Sequence, residues 1–206
     1  MMTSLESTII DGYGLSAEYR AVLKPGEPLV DFLGNTHYLP RYFYKVENWA
    51  QAKETMLSPH FTYSELVLVD CREDDLILKQ LPHFLPCAAS LLVRYLELLR
   101  ERVGAPIHVA ANGGYRSPAH KLSDKPGPHC WGTAVNIYRI GEVFLNSEEV
   151  ISRYGAIAKS MAPEIYVKPF GHGPDETDDH LHLDIGYIHM VPRYLNEAVK
   201  PERGNA

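Results

Sequence analysis

The sequence predicts an α+β domain, a small and mainly antiparallel sheet with helices packed on it. Three observations are compatible with it, and a resemblance given below names it. The 206-residue length suits one substantial domain with a sizeable core. One long segment repeats its apolar residues at helical spacing. After that segment come "IHVAAN", "TAVNIYRI", "EIYVK" and "HLHLDIGYI", short strand candidates separated by turns.

Taken in order, residues 1–57 read as an N-terminal elaboration packed on a main domain of residues 58–206. "LKPGEPLVDFLGNTHYLPRYFY" mixes Pro, Gly and aromatic residues without a sustained period, which predicts an irregular arm, and "ENWAQAKETML" predicts a short helix. In "SPHFTYSELV", Thr62 and Glu65 have capping-box spacing, in which hydroxyl and carboxylate satisfy free backbone N–H groups at a helix start. Leu85, Ala88, Ala89, Leu92, Leu96, Leu99 and Val103 then recur at three and four residues, the strongest helix in the chain. Gly104 and Pro106 stop it, and "IHVAAN" leads as a strand into the turn "GGYRSP". "TAVNIYRI" is a second strand. Ser147 is placed to cap a helix to about Ala162, with Glu148 and Glu149 at the positive end of its dipole. "EIYVK" and "HLHLDIGYI" follow as strands, joined by the polar loop "GHGPDETDD".

Bulk properties narrow the function. A net charge of -6 without a basic run argues against a general nucleic-acid or anionic-membrane binder. No stretch has the apolar length of a membrane span. The beginning "MMTSLESTIIDGYGLSAEYR" lacks the pattern of a secretory signal, so the expected compartment is the cytoplasm, with release by another route left open. Three cysteines, Cys71, Cys87 and Cys130, show no CxxC pair and are expected to be reduced, mostly structural thiols.

Chemistry concentrates in "HLHLDIG". In an extended chain His180, His182 and Asp184 share one face, while Leu181, Leu183 and Ile185 take the other. Two imidazoles and a carboxylate opposite an apolar face suit a metal ion. A solvated polar face is the competing reading.

Together, "GYRSPAH", "HCWGTAVN" and "DHLHLD" resemble the metallopeptidase M15 family, zinc D-Ala-D-Ala carboxypeptidases and related peptidoglycan peptidases that share a fold with the hedgehog signalling domain. The resemblance spans about residues 59–190. It implies a hedgehog/DD-peptidase-like fold, a Zn2+ cofactor, His129 as first and His182 as third metal ligand, and Asp179 as general base. It also implies that Arg116 receives a substrate carboxylate or the developing oxyanion, that Ser117 helps orient substrate, and that His180 stabilises negative charge in the transition state; without it, Arg116 reads as tying its turn through backbone carbonyls and Asp179 as part of a solvated acidic loop. Two positions depart from the family pattern. Asn136 stands where the family has an aspartate ligand, and Gly127 stands where it has serine. An amide oxygen is a poorer zinc donor and removes one negative charge. Asn136 is therefore read in three ways: a weak third ligand, a ligand bypassed by Asp184 or Glu176, or the mark of a site without a peptidase role.

Three functions follow. The first is a zinc peptidase of the D-Ala-D-Ala carboxypeptidase type acting on a peptidoglycan-like or related short peptide. The second is a non-hydrolytic or repurposed homologue that binds a carboxylate ligand, with or without metal. The third is non-peptidase metal chemistry, with two histidines and a carboxylate in a set suited to iron. The expected partner in each case is a small peptide or amino-acid-like molecule.

Overall fold

The computed structural model of the protein describes residues 8–31, 33–123, 127–193 and 195. It is a mixed α/β fold, with small antiparallel sheets and packed helices.

The N-terminal arm is more regular than its composition predicts. Strand β1 (Thr8–Asp11) and helix α1 (Ala17–Leu23) are followed by a hairpin of β2 (Pro28–Val30) and β3 (Thr36–Tyr38), and then by β4 (Tyr42–Lys45). Strands of three or four residues carry too little alternation to stand out, and their order comes from partners elsewhere in the chain. β4 lies between β1 and β5 (Phe84–Pro86), antiparallel to both. Between β4 and β5 run α2 (Trp49–Glu54), α3 (Tyr63–Val67) and α4 (Leu76–Gln80). The capping box at Thr62 and Glu65 forms. Tyr63, fully buried, donates its hydroxyl proton toward the carbonyls of His83 and Tyr44 at 2.8 and 3.0 Å, tying α3 to the sheet.

Helix α5 (Ala89–Val103) is shorter than its apolar pattern, because Leu85 belongs to β5 and Pro86 brings no N–H to a helix. Gly104 ends it in the left-handed conformation. The second sheet follows: β6 (Ile107–Val109), β7 (Ala134–Ile140), β8 (Val143–Phe144), helix α6 (Glu148–Lys159), β9 (Tyr166–Val167) and β10 (Leu181–Asp184). Its order is β6-β7-β10-β9, with β8 also paired to β7, and every pairing is antiparallel. Ser147 occupies the cap position of α6 without a side-chain hydrogen bond, and Glu148 and Glu149 fill its first turn.

A large contiguous core, with a smaller cluster of Leu39, Cys130 and Trp131 beside it among the described residues, holds the two sheets together. Val22, Leu23, Phe43 and Val46 of the N-terminal segment share it with Leu92 and Leu96 of α5, Val135 and Ile137 of β7, and Leu181 and Leu183 of β10. The segment 1–57 is thus joined to the rest by strand pairing as well as by packing, as far as it is described. No helix among the described residues is long and apolar enough to cross a membrane.

The turn after β6 sets the position of the cleft. An added Cβ at Gly114 would stand 2.3 Å from the Leu66 carbonyl oxygen, and one at Gly113 would stand 2.6 Å and 2.7 Å from the carbonyl oxygens of Ala110 and Asn136. Only glycine lets backbone approach backbone this closely. Gly114→Ala is expected to cost about 3 kcal/mol in urea unfolding. Gly127→Ala, with open space around the new methyl among the described residues and an extended backbone, should stay within about 0.5 kcal/mol.

Candidate metal centre

His129 and His182 come from different elements and meet in the fold. His129 lies in the 3-10 turn Pro128–Trp131, which Gly127 starts without a side-chain cap and Gly132 ends in the left-handed conformation. His182 lies in β10, where the antiparallel register sets it opposite Asn136 of β7. The two rings are 5.1 Å apart between centroids, and both residues are at most 5% exposed.

A hydrogen bond fixes the proton on His129, while His182 has the Asn136 Oδ1 at Nδ1 and the Asp184 carboxylate at Nε2. His129 Nδ1 donates to the Gly114 carbonyl at 2.7 Å, which leaves Nε2 as a buried lone pair without a partner among the described residues. His182 Nε2 lies 3.0 Å from an Asp184 carboxylate oxygen, and its Nδ1 lies 2.9 Å from the Asn136 side-chain amide. A neutral imidazole has one N–H. Donated to Asp184, it leaves the Nδ1 lone pair facing the amide. An amide can meet that lone pair with its NH2 end, or turn its oxygen to share a cation with it; an aspartate could do only the second.

Burial keeps both rings uncharged. It holds the His129 imidazole well below its ordinary range, assisted by the positive charge of Arg116 and by the neighbouring His182. Burial also lowers His182, against the opposing pull of Asp184. Neutral imidazole is the form that ligates metal.

The remaining site residues of the sequence reading fall into two groups. Arg116 and His180 lie close enough to His129 to depress its proton affinity. The Arg116 backbone N–H donates to the His129 carbonyl at 3.3 Å, its Nη1 reaches the Leu122 carbonyl at 3.4 Å, and its buried Nε has no partner among the described residues. Burial draws its pKa down to about 10. His180 precedes β10 and pairs through Nδ1 with Asp179. Asp179 itself is outward, with 78% of its side chain exposed. Ser117 turns inward, its hydroxyl accepting the Ala119 N–H at 3.2 Å, which makes it part of the turn.

Glu176 is committed elsewhere. Its carboxylate accepts the Gly173 N–H at 2.7 Å and fills the space beside Gly171, so it staples the loop before β10. Among the described residues no group of three His, Cys, Asp or Glu side chains converges to hold a metal ion; the amide of Asn136 lies outside that donor class. Asp184, weighed from sequence as an alternative ligand, orients His182 and also accepts the Gly186 N–H at 2.9 Å.

Sequence reasoning passed over two supports of the site. Asn112, in the left-handed conformation, accepts from the Asp70 N–H at 3.1 Å and from His120 Nε2 at 2.9 Å, and its own N–H donates to the Leu68 carbonyl at 2.7 Å. His120 Nδ1 in turn accepts the Leu122 N–H at 3.0 Å. "GGYRSPAH" ends on this histidine, and only the asparagine-glycine turn before it hinted at a constrained backbone.

No family model, no curated protein and no solved structure matches this chain.

His120 also gives the fold a pH dependence. Burial, then the charge of Arg116, lowers its pKa from 6.5 to about 4. As pH falls the unfolded chain takes the proton first, so the stability that depends on neutral His120 is complete above about pH 6.5 and is lost on the way down to about pH 4. The urea midpoint of the parent is expected to drop across this window, and that of His120→Gln to drop less. Equal slopes would place the proton linkage elsewhere.

Proposed function

We propose that the protein is a zinc-dependent peptidase of the D-Ala-D-Ala carboxypeptidase type, with a hedgehog/DD-peptidase-like fold, acting on a peptidoglycan-like or related short peptide. One observation carries the reading: the buried Nε2 of His129, without a partner among the described residues, stands beside His182 where two antiparallel strands set His182 opposite Asn136. The residues present fit zinc. His129 offers Nε2, His182 offers Nδ1 with Asp184 behind its other nitrogen, and Asn136 offers an amide oxygen. Zinc held by these groups supplies Lewis acidity, which polarises a carbonyl and acidifies water.

The chain's own residues complete the chemistry. The partly unpaired guanidinium of Arg116 receives the substrate carboxylate and orients the scissile bond. Asp179 takes one proton from the attacking water as the carbon–oxygen bond forms, then passes it to the leaving amine as the carbon–nitrogen bond breaks. Its hydrogen bond to His180 couples the exposed carboxylate to the buried cluster, and His180, whose pKa burial lowers against the pull of Asp179, stabilises negative charge in the transition state when it holds its proton.

The same amide supports a second reading, a repurposed homologue that binds a carboxylate ligand without hydrolysing it. Asn136, His182 and Asp184 form a hydrogen-bonded chain complete in itself once the amide turns its NH2 to Nδ1.

Elemental analysis of protein purified without added metal, combined with D-Ala-D-Ala peptide turnover, separates the two. The peptidase reading expects about one zinc per chain, lost in His182→Ala and held about tenfold or more tightly in Asn136→Asp. It also expects turnover that falls about a hundredfold or more in Asp179→Asn. Parent protein that stays without zinc when zinc is supplied overturns the peptidase reading. Zinc without turnover, with a carboxylate ligand bound through Arg116, favours the repurposed homologue, and stoichiometric iron favours other metal chemistry.

A further inference from the structure

A second concavity lies on the other side of the His129 turn, between the β2–β3 hairpin and the chain after β10. It is a groove of about 510 Å³, lined by Tyr13, His37, Tyr38, Arg41, Trp131 and Tyr187 among others. That volume is in the range of small-ligand sites. It shares no residue with the candidate metal centre, although Trp131 sits in the same turn as His129.

The floor is rigid and aromatic. His37 stacks on Tyr187 with centroids 3.8 Å apart and planes 16° apart, and Trp131 meets Tyr187 edge-on at 4.8 Å. Trp131 Nε1 donates to the Tyr38 carbonyl at 2.9 Å, which locks the hairpin to the turn. His37 is held from behind by Asp31 at 2.8 Å, and that carboxylate also accepts the N–H groups of Leu33 and Asn35. The walls are open: Tyr13 is 51% and Tyr38 59% exposed, large rings left in solvent beside a groove rather than packed into the core.

The electrostatics select among ligands. Arg41 is the permanently charged side chain of the lining, and its Nε and Nη2 are both engaged by the carboxylate of Asp11, while its guanidinium lies over the Tyr13 and Tyr42 rings at 4.2 and 5.2 Å. An anion finds that charge already neutralised. A quaternary cation meets a guanidinium where an aromatic cage would offer only ring faces. What remains for a ligand is the exposed rings of Tyr13 and Tyr38 above a floor in which Trp131 is buried and His37 and Tyr187 cover one face of each other, bordered by the Asp11–Arg41 pair, Thr36 and the tyrosine hydroxyls.

We infer that this groove binds the pyranose rings of an oligosaccharide. The C–H faces of a sugar ring carry partial positive charge and pack on electron-rich aromatic faces, while its hydroxyls need paired donors and acceptors at the rim. A preformed floor holds the rings in place before the ligand arrives. The inference stands on the groove alone, and its failure leaves the metal reading untouched.

The test is calorimetric titration of the full chain with chitotetraose and, separately, with cellotetraose, each repeated on Tyr38→Ala and Tyr13→Ala. Both replaced rings are exposed, and thermal melts check that each variant is folded. Binding of at least one tetrasaccharide is expected, weakened about tenfold by each substitution, while the zinc content of Tyr38→Ala equals that of the parent. Preference for chitotetraose assigns the groove to N-acetylated glycans, and preference for cellotetraose to plain glucans. No binding of either sugar overturns the inference, as does binding that neither substitution weakens. A concentration-dependent dimer abolished by Tyr38→Ala also overturns it and gives the groove to a second copy of the chain.

Discussion

The candidate centre depends on how closely the Gly113–Gly114 turn approaches its neighbours. Gly114 presses against the Leu66 backbone, with the Tyr115 N–H donating to the Leu66 carbonyl at 2.7 Å. On the other side the Gly113 carbonyl receives the Asn136 N–H at 2.7 Å, and the Gly114 carbonyl receives His129 Nδ1. Helix α3, strand β7 and the His129 turn are thereby positioned by two residues without side chains. A hydrogen bond to a backbone carbonyl sets which nitrogen of His129 is free, so the chemistry of that ring follows from backbone packing.

Charge in the centre is sparing. Burial favours the neutral form of both imidazoles, Asn136 contributes an uncharged amide, and the carboxylate of Asp184 orients His182. Arg116 is the strongest charge nearby, and burial weakens its hold on its own proton. The fixed positive charge of Arg116 beside the centre suits the carboxylate of a ligand.

What could be read from the sequence was local. The capping box at Thr62, the stop at Gly104 and the strand character of "TAVNIYRI" depend on neighbours a few residues away, and they stand in the fold. Alternation in "HLHLDIG" gave the faces of β10: Leu181, Leu183 and Ile185 lie in the core, and His182 and Asp184 lie opposite. The N-terminal strands were hidden because three or four residues cannot display a period, and β4 finds its partner at Phe84–Pro86, some forty residues on. The start of α5 was misplaced for the same reason: Leu85 fits a helical pattern, but it pairs with Tyr44. Glu176 looked available in an acidic loop, and only coordinates show its carboxylate turned back on Gly173. His37 had no informative spacing, since its stacking partner is Tyr187.

The register that sets His182 opposite Asn136 also has a temporal consequence. A ribosome delivers the chain from its N-terminus, so His129 and Asn136 emerge well before β10 exists. Until the last strand has been released and has paired with β7, the two imidazoles are not neighbours and Asn136 has no ring beside it. The centre is therefore a property of the finished chain. Any cation that enters it does so after synthesis of this region, from the pool that surrounds the folded protein rather than the one that surrounds the nascent chain.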